Sequence, residues 1–339
     1  MQERFEPYKE KSRDYTIDVL RVIGTLLVIL AHVSPPKMLS EIRTFDVSLL
    51  VFISGMSLAY STYKGYWPYV KKRILKLCVP TYITICVVLA LLIIGSVVSK
   101  SFSISAQYVF NSFFLIDANS IGFVWIVKVY LFTAFLTPVI KKVVEKIANP
   151  IIVFIVANAW MIGMSILIVY LPSNIITHEY LFYAVQYSAV AVMGLSYVKS
   201  SNRQKIVVLI VSVFAFVASQ MLVGSFSPSE FKYPPQYYYL TYGVLVSIAL
   251  HLLLSKIKFD HNDKIAKLIC WMSTNSFTIY ICHIYFMWGY FLLGKLMPNV
   301  SSRIGWLPLY LGVVIGACIL CKLLELFQPK IKIIRGGSI

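Results

Sequence analysis

Arg21 and His32 stand eleven residues apart in the otherwise apolar run "IDVLRVIGTLLVILAHV", Ile17–Val33. An arginine binds anions through a fixed fork of N–H donors. A histidine exchanges a proton near neutral pH and serves as a general base. At 100° per residue, eleven steps return to within about 20° of the starting direction. A helix therefore places both side chains on one stripe, roughly 16 Å apart. Asp18 lies three residues before Arg21, where it pairs with it. Ionisable groups inside such a run are costly and by default mark function. The plainer alternative is that Arg21 snorkels to the headgroups while His32 ends the helix in water. One helix alone does not choose between them.

The elements that hold this stripe follow from composition. Of 339 residues, 59% are hydrophobic, 15% aromatic and only 13% charged, and the mean hydropathy is +0.77. A soluble domain would be about one quarter charged. The apolar residues recur in runs of about 17–22, enough to cross roughly 30 Å of hydrocarbon. The expected fold is an all-α polytopic membrane protein of about ten helices, at 17–34, 45–62, 80–98, 121–141, 149–171, 180–198, 206–223, 238–256, 273–294 and 306–327. Turn chemistry marks the breaks, at "SPP" (Ser34–Pro36), Pro80, "LPSN" (Leu171–Asn174) and "KYPP" (Lys232–Pro235) among others. Residues 1–16 and 328–339 read as tails flanking one ten-helix domain, 17–327.

The net charge of +17 distributes by topology. With both termini cytoplasmic, 22 of the 31 basic residues fall in inner segments and six in outer ones. That is the expected positive-inside asymmetry, and it removes the case for nucleic acid. The first apolar run ends in "AHVSPP" without a small-x-small exit, so no cleavable signal is expected. The six cysteines lie in or beside spans without ligand spacing, so neither disulfides nor a metal site is expected.

Further along the chain come "FDVSLLVFISGM" (Phe45–Met56), "KKRILKLCVP" (Lys71–Pro80), "GFVWIVKVYLFTAFLTPVI" (Gly122–Ile140), "KYPPQYYYLTYG" (Lys232–Gly243) and "MSTNSFTIYICHIYF" (Met272–Phe286). Together with the Arg21–His32 pair, this ordered set resembles acyltransferase family 3, the membrane O-acyltransferases that modify surface polysaccharides and related glycans. The resemblance implies that Arg21 and His32 are the catalytic pair, with acyl-coenzyme A as donor. His32 would deprotonate the acceptor hydroxyl or take the acyl group, and Arg21 would position the donor. The family's R-x-x-R element maps to Arg73 and Lys76, where lysine contacts phosphate as a point charge and not as a fork. Its Phe and Ser-Gly element maps to "FISG", Phe52–Gly55.

Each remaining candidate carries two readings. Lys72, Arg73 and Lys76 bind the donor phosphates or an anionic lipid surface. Ser54 and Gly55 support the site or only allow close helix packing. Lys128 faces the interior, toward a carboxylate or a donor phosphate. Trp125, Tyr280 and His283 support the site or fill the core. Tyr233, Pro234, Pro235, Tyr237 and Tyr239 form a glycan platform or an aromatic belt. His178, His251 and His261 read as solvated. The expected function is transfer of an acetyl group from cytoplasmic acetyl-CoA, as co-substrate with no permanently bound cofactor, to a hydroxyl of a cell-surface or lipid-linked glycan. The chain would lie in the inner or plasma membrane. The alternative is a secondary transporter or exporter of a lipid-linked sugar, although no inverted repeat is evident.

Overall fold

The computed structural model describes residues 14–61, 65–99, 104–147, 149–257, 263–297, 299 and 303–327. The expected tails lie almost wholly outside the described residues. A helix occupies each of the ten expected segments: α1 (Tyr15–Ala31), α3 (Asp46–Tyr60), α4 (Tyr66–Ser99), α6 (Trp125–Val144), α7 (Pro150–Tyr170), α8 (Phe182–Val198), α9 (Asn202–Val223), α10 (Tyr237–Leu254), α12 (Ser276–Leu296) and α13 (Trp306–Phe327). Among the described residues there are also three shorter α-helices, α2 (Lys37–Ile42), α5 (Ala106–Phe113) and α11 (Lys264–Thr274). Among the described residues eight helical segments are long and apolar enough to cross a membrane. The other two of the ten fall short for identifiable reasons. α1 has only 17 residues, and α6 carries Lys128, Lys141 and Lys142. Both are nevertheless held inside the bundle, so neighbouring helices rather than lipid surround much of their polar surface.

α3 and α8 form the centre, and α1, α6, α7 and α10 pack around them. At two glycines the backbones of α3 and α8 come into direct contact, and elsewhere rings such as Phe52 and Tyr197 pack between the helices. A Cβ on Gly55 would fall 1.8 Å from the Ala191 carbonyl oxygen, and one on Gly194 would fall 2.0 Å from that of Phe52. Small residues allow such backbone approach in lipid, where packing rather than the hydrophobic effect associates helices. Most residues of α7, α9 and α13 face outward, which makes these helices the lipid-facing perimeter.

The end of the bundle at the start of α1 is called proximal here, and the opposite end distal. Two expected boundaries change. Pro80 does not break the chain but lies within α4, whose 34 residues run for about 51 Å. Losing one backbone hydrogen bond there costs less than ending a helix at membrane depth, which would orphan several backbone groups. The excess length carries Lys71, Lys72, Arg73 and Lys76 in the first turns of the helix, at the proximal end. The second change is at residue 273, where no continuous span begins. α11 ends at Thr274, Asn275 turns the chain by donating to the Trp271 carbonyl at 3.1 Å, and α12 starts afresh at Ser276. His251 also departs from expectation: it is buried, with its Nδ1 3.1 Å from the Tyr197 hydroxyl, while His261 lies outside the described residues.

Candidate active site

At the proximal end a cavity of about 1050 Å³ opens between α1, α3, α4, α6, α11 and α12. Its polar wall is built by residues from different helices. α1 starts on Asp14, whose carboxylate accepts from the Thr16 N–H at 3.0 Å, and then projects Asp18, Arg21 and Thr25 into the cavity at one-turn intervals. α4 adds Arg73 and Lys76, α3 adds Ser54 and Ser57, and α12 adds Tyr280. Three cations, several hydroxyls and aromatic rings thus share one water-accessible chamber. Lys72 is exposed on α4 and lies outside this wall.

The Arg21 guanidinium has a defined orientation. One terminal nitrogen donates to the Ser57 hydroxyl at 2.7 Å. The other donates to the Ser273 hydroxyl at 3.0 Å and lies 3.6 Å from Asp18. Ser273 in turn donates to Asp18 at 2.5 Å. The Thr25 hydroxyl closes the next turn of α1 by donating to the Arg21 carbonyl at 2.8 Å. Neither Ser57 nor Ser273 was singled out from the sequence.

His32 caps the distal end of α1 in helical geometry, so the stripe from Arg21 is continuous. Its ring stacks on His283, with centroids 5.2 Å apart and planes 18° apart. Phe123 meets the His32 ring edge-on at 4.5 Å and the His283 ring at 5.9 Å. His283 is fully buried, and its Nδ1 faces the Tyr280 carbonyl. A carbonyl only accepts, so Nδ1 bears the proton and Nε2 presents the lone pair. The Nε2 atoms of both histidines are buried without a hydrogen-bond partner among the described residues. Tyr280 joins the two regions: it lines the cavity, its ring lies 4.9 Å from that of His283, and its hydroxyl donates to the Phe123 carbonyl.

A second polar cluster lies at the distal end. Asp46 accepts from Arg43 at 2.5 Å and from Lys232 at 3.4 Å. Burial pushes the Lys232 ammonium below the usual lysine range, and Asp46 opposes the shift. Burial likewise raises the Asp117 carboxyl, with Lys128 opposing it. Lys232 lies over the Trp125, Tyr233 and Tyr239 rings at 5.5–5.9 Å. Of the expected aromatic platform, Tyr233 is exposed and edge-on to Trp125 at 5.4 Å, with Pro234 beside it. Pro235 is buried. Tyr237 turns inward to Asn158, and Tyr239 to Tyr187. Lys128 is also distal, in an ion pair with Glu179 and 4.5 Å from the centre of the Tyr183 ring. The structure therefore groups Arg21, Arg73 and Lys76 in one wall and sets Lys128 apart from them.

A family model for an acyltransferase domain matches residues 14–324, from the cap of α1 almost to the end of α13. The chain belongs to acyltransferase family 3. Neither a curated protein nor a solved structure matches it. Membership makes this multi-pass membrane protein an acyltransferase.

Proposed function

We propose that the protein is a membrane O-acyltransferase that moves an acetyl group from cytoplasmic acetyl-CoA to a hydroxyl of a cell-surface or lipid-linked glycan. The observation that carries this reading is the proximal cavity, where Arg21, Arg73 and Lys76 converge and from which Tyr280 leads to the stacked histidines. Ten spans with both termini cytoplasmic, as the distribution of basic residues favours, make the proximal end the cytoplasmic one. The cations then face the compartment that supplies the donor, and the cell membrane is the natural location.

In this reading Arg73 and Lys76 hold the donor phosphates at the mouth, and Arg21 fixes the donor further in. An extended pantetheine arm reaches past Thr25 toward Tyr280. His32 Nε2 takes the proton of the acceptor hydroxyl as its oxygen attacks the thioester carbon; the C–S bond breaks and the thiolate leaves. In the relay variant Nε2 first takes the acyl group as the thiolate leaves, and then yields it to the acceptor oxygen, whose proton neutralises that thiolate. The acceptor approaches from the distal end, where Tyr233 and Trp125 offer ring faces and Asp46, Arg43 and Lys232 offer polar partners.

The test is mass spectrometry of surface glycans from cells that lack the protein and are complemented with wild type, Arg21→Ala or His32→Ala at matched membrane levels. Wild type is expected to restore acetyl esters, and each variant to leave them at the deletion level. Full esterification by His32→Ala would overturn the reading.

A further inference from the structure

α11 is a short helix at the proximal end that spans the gap between α1 and α13. On one side Ser273 reaches α1, donating to Asp18 and accepting from Arg21. On the other, the Trp271 indole and the Asn275 amide both donate to Glu325 of α13, at 2.9 and 2.7 Å. Lys322 closes this second anchor, 2.9 Å from Glu325 and over the Trp271 ring. Ser273 is buried, and Thr274, Ser276 and Phe277 continue the cavity wall beside it. The last turn of the helix and its cap are thus fastened on two sides, with one hydroxyl aimed at the guanidinium.

A serine has a single proton, and here it is committed to Asp18 at 2.5 Å. The lone pairs of Ser273 therefore face Arg21, and the chain of donors runs one way: guanidinium to Ser273 to Asp18. Asp18 reaches Arg21 directly only at 3.6 Å, longer than a hydrogen bond. Much of its hold on the arginine passes through the serine. With Ser57 gripping the other terminal nitrogen at 2.7 Å, two hydroxyls on separate helices fix the plane of the guanidinium. A flexible side chain with about 2 kcal/mol of rotamer entropy is thereby set before a ligand arrives.

We infer that Ser273 is a positioning residue for the donor: α11 acts as a strap whose hydroxyl, backed by Asp18, holds the Arg21 guanidinium in its binding orientation. This inference rests on the donor role proposed above for Arg21. It predicts that donor affinity depends on a hydroxyl at position 273 and not merely on a folded strap.

The experiment is calorimetric titration of the detergent-solubilised full chain with a non-hydrolysable acetyl-CoA analogue in which a methylene replaces the thioester sulfur. Ser273→Ala, Ser273→Thr and Arg21→Ala are measured beside wild type, each with its thermal unfolding midpoint in the absence of ligand. Ser273→Ala is expected to weaken binding about tenfold, the worth of one hydrogen bond to a charged group. Ser273→Thr is expected to bind within about threefold of wild type, and both are expected to unfold near the wild-type midpoint. Wild-type affinity in Ser273→Ala, alongside weakened binding in Arg21→Ala, would overturn the strap and spare the donor reading. Equal weakening in Ser273→Ala and Ser273→Thr with a lowered midpoint would make the role structural and also overturn it. Wild-type affinity in Arg21→Ala would overturn the donor reading itself and this inference with it.

Discussion

Lys128 sits 2% exposed on α6 and is satisfied by Glu179 and the face of Tyr183. A charge stripped of water must be paired, and removing one partner leaves the other uncompensated. Lys128→Met is expected to destabilise the protein by about 2–3 kcal/mol, discounted from a fully buried pair because Glu179 retains some solvent access. The double variant Lys128→Met/Glu179→Gln is expected to recover most of that loss in a thermal unfolding series. The same residues show what a sequence discloses at this scale. Arg21 and His32 were legible because both lie on one helix, where spacing alone sets their relation. Glu179, Ser57 and Ser273 were not, because each meets its partner across 36 to 252 positions. Phe123 was hidden for another reason. It adopts a left-handed backbone (φ 60°) directly after Gly122 (φ 69°), a conformation that costs a bulky residue about 1–2 kcal/mol. That turn brings its ring against both histidines, and nothing in "IGFVW" announces it.

Among the helices, the tightest relation is that of α3 and α8, where Gly55 and Gly194 each oppose a carbonyl of the other helix. Those carbonyls belong to helical backbone and cannot swing aside, so an added methyl must part the helices. Gly194→Ala is expected to destabilise by roughly 2 kcal/mol or more and to lower the unfolding midpoint in detergent. It is also expected to weaken donor binding, because α3 carries Ser54 and Ser57 on the cavity wall. The "FISG" element thus divides its labour, with Ser54 lining the cavity and Gly55 packing. The long helices were readable from apolar run length, while the short α2, α5 and α11 were not. Boundaries were less readable where a rule about breaks met the membrane. Pro80 is a breaker in water, yet in α4 continuity prevails. Asn275, with no strong turn signal around it, ends α11 through contacts with Trp271 and Glu325.

For the whole molecule, the proposed chemistry links two ends of a bundle that must otherwise stay closed. The proximal cavity ends in Tyr280, and beyond it stand Phe123, His283 and His32, ring against ring. In the proposed reaction the groups that react are therefore also the plug. A living membrane stores its energy as a proton gradient, and any water column through this bundle would drain it. Phe123 supplies the plug with bulk and no ionisable atom, edge-on beside two stacked imidazoles that would pass protons along a wetted path. Phe123→Ala is expected to raise the passive proton permeability of proteoliposomes severalfold over wild type, read with an entrapped pH-sensitive dye under an imposed potential. Unchanged permeability would mean that the seal lies elsewhere. On this view the strained turn at Phe123 is insulation, and its cost in folding energy offsets a continuous loss of current.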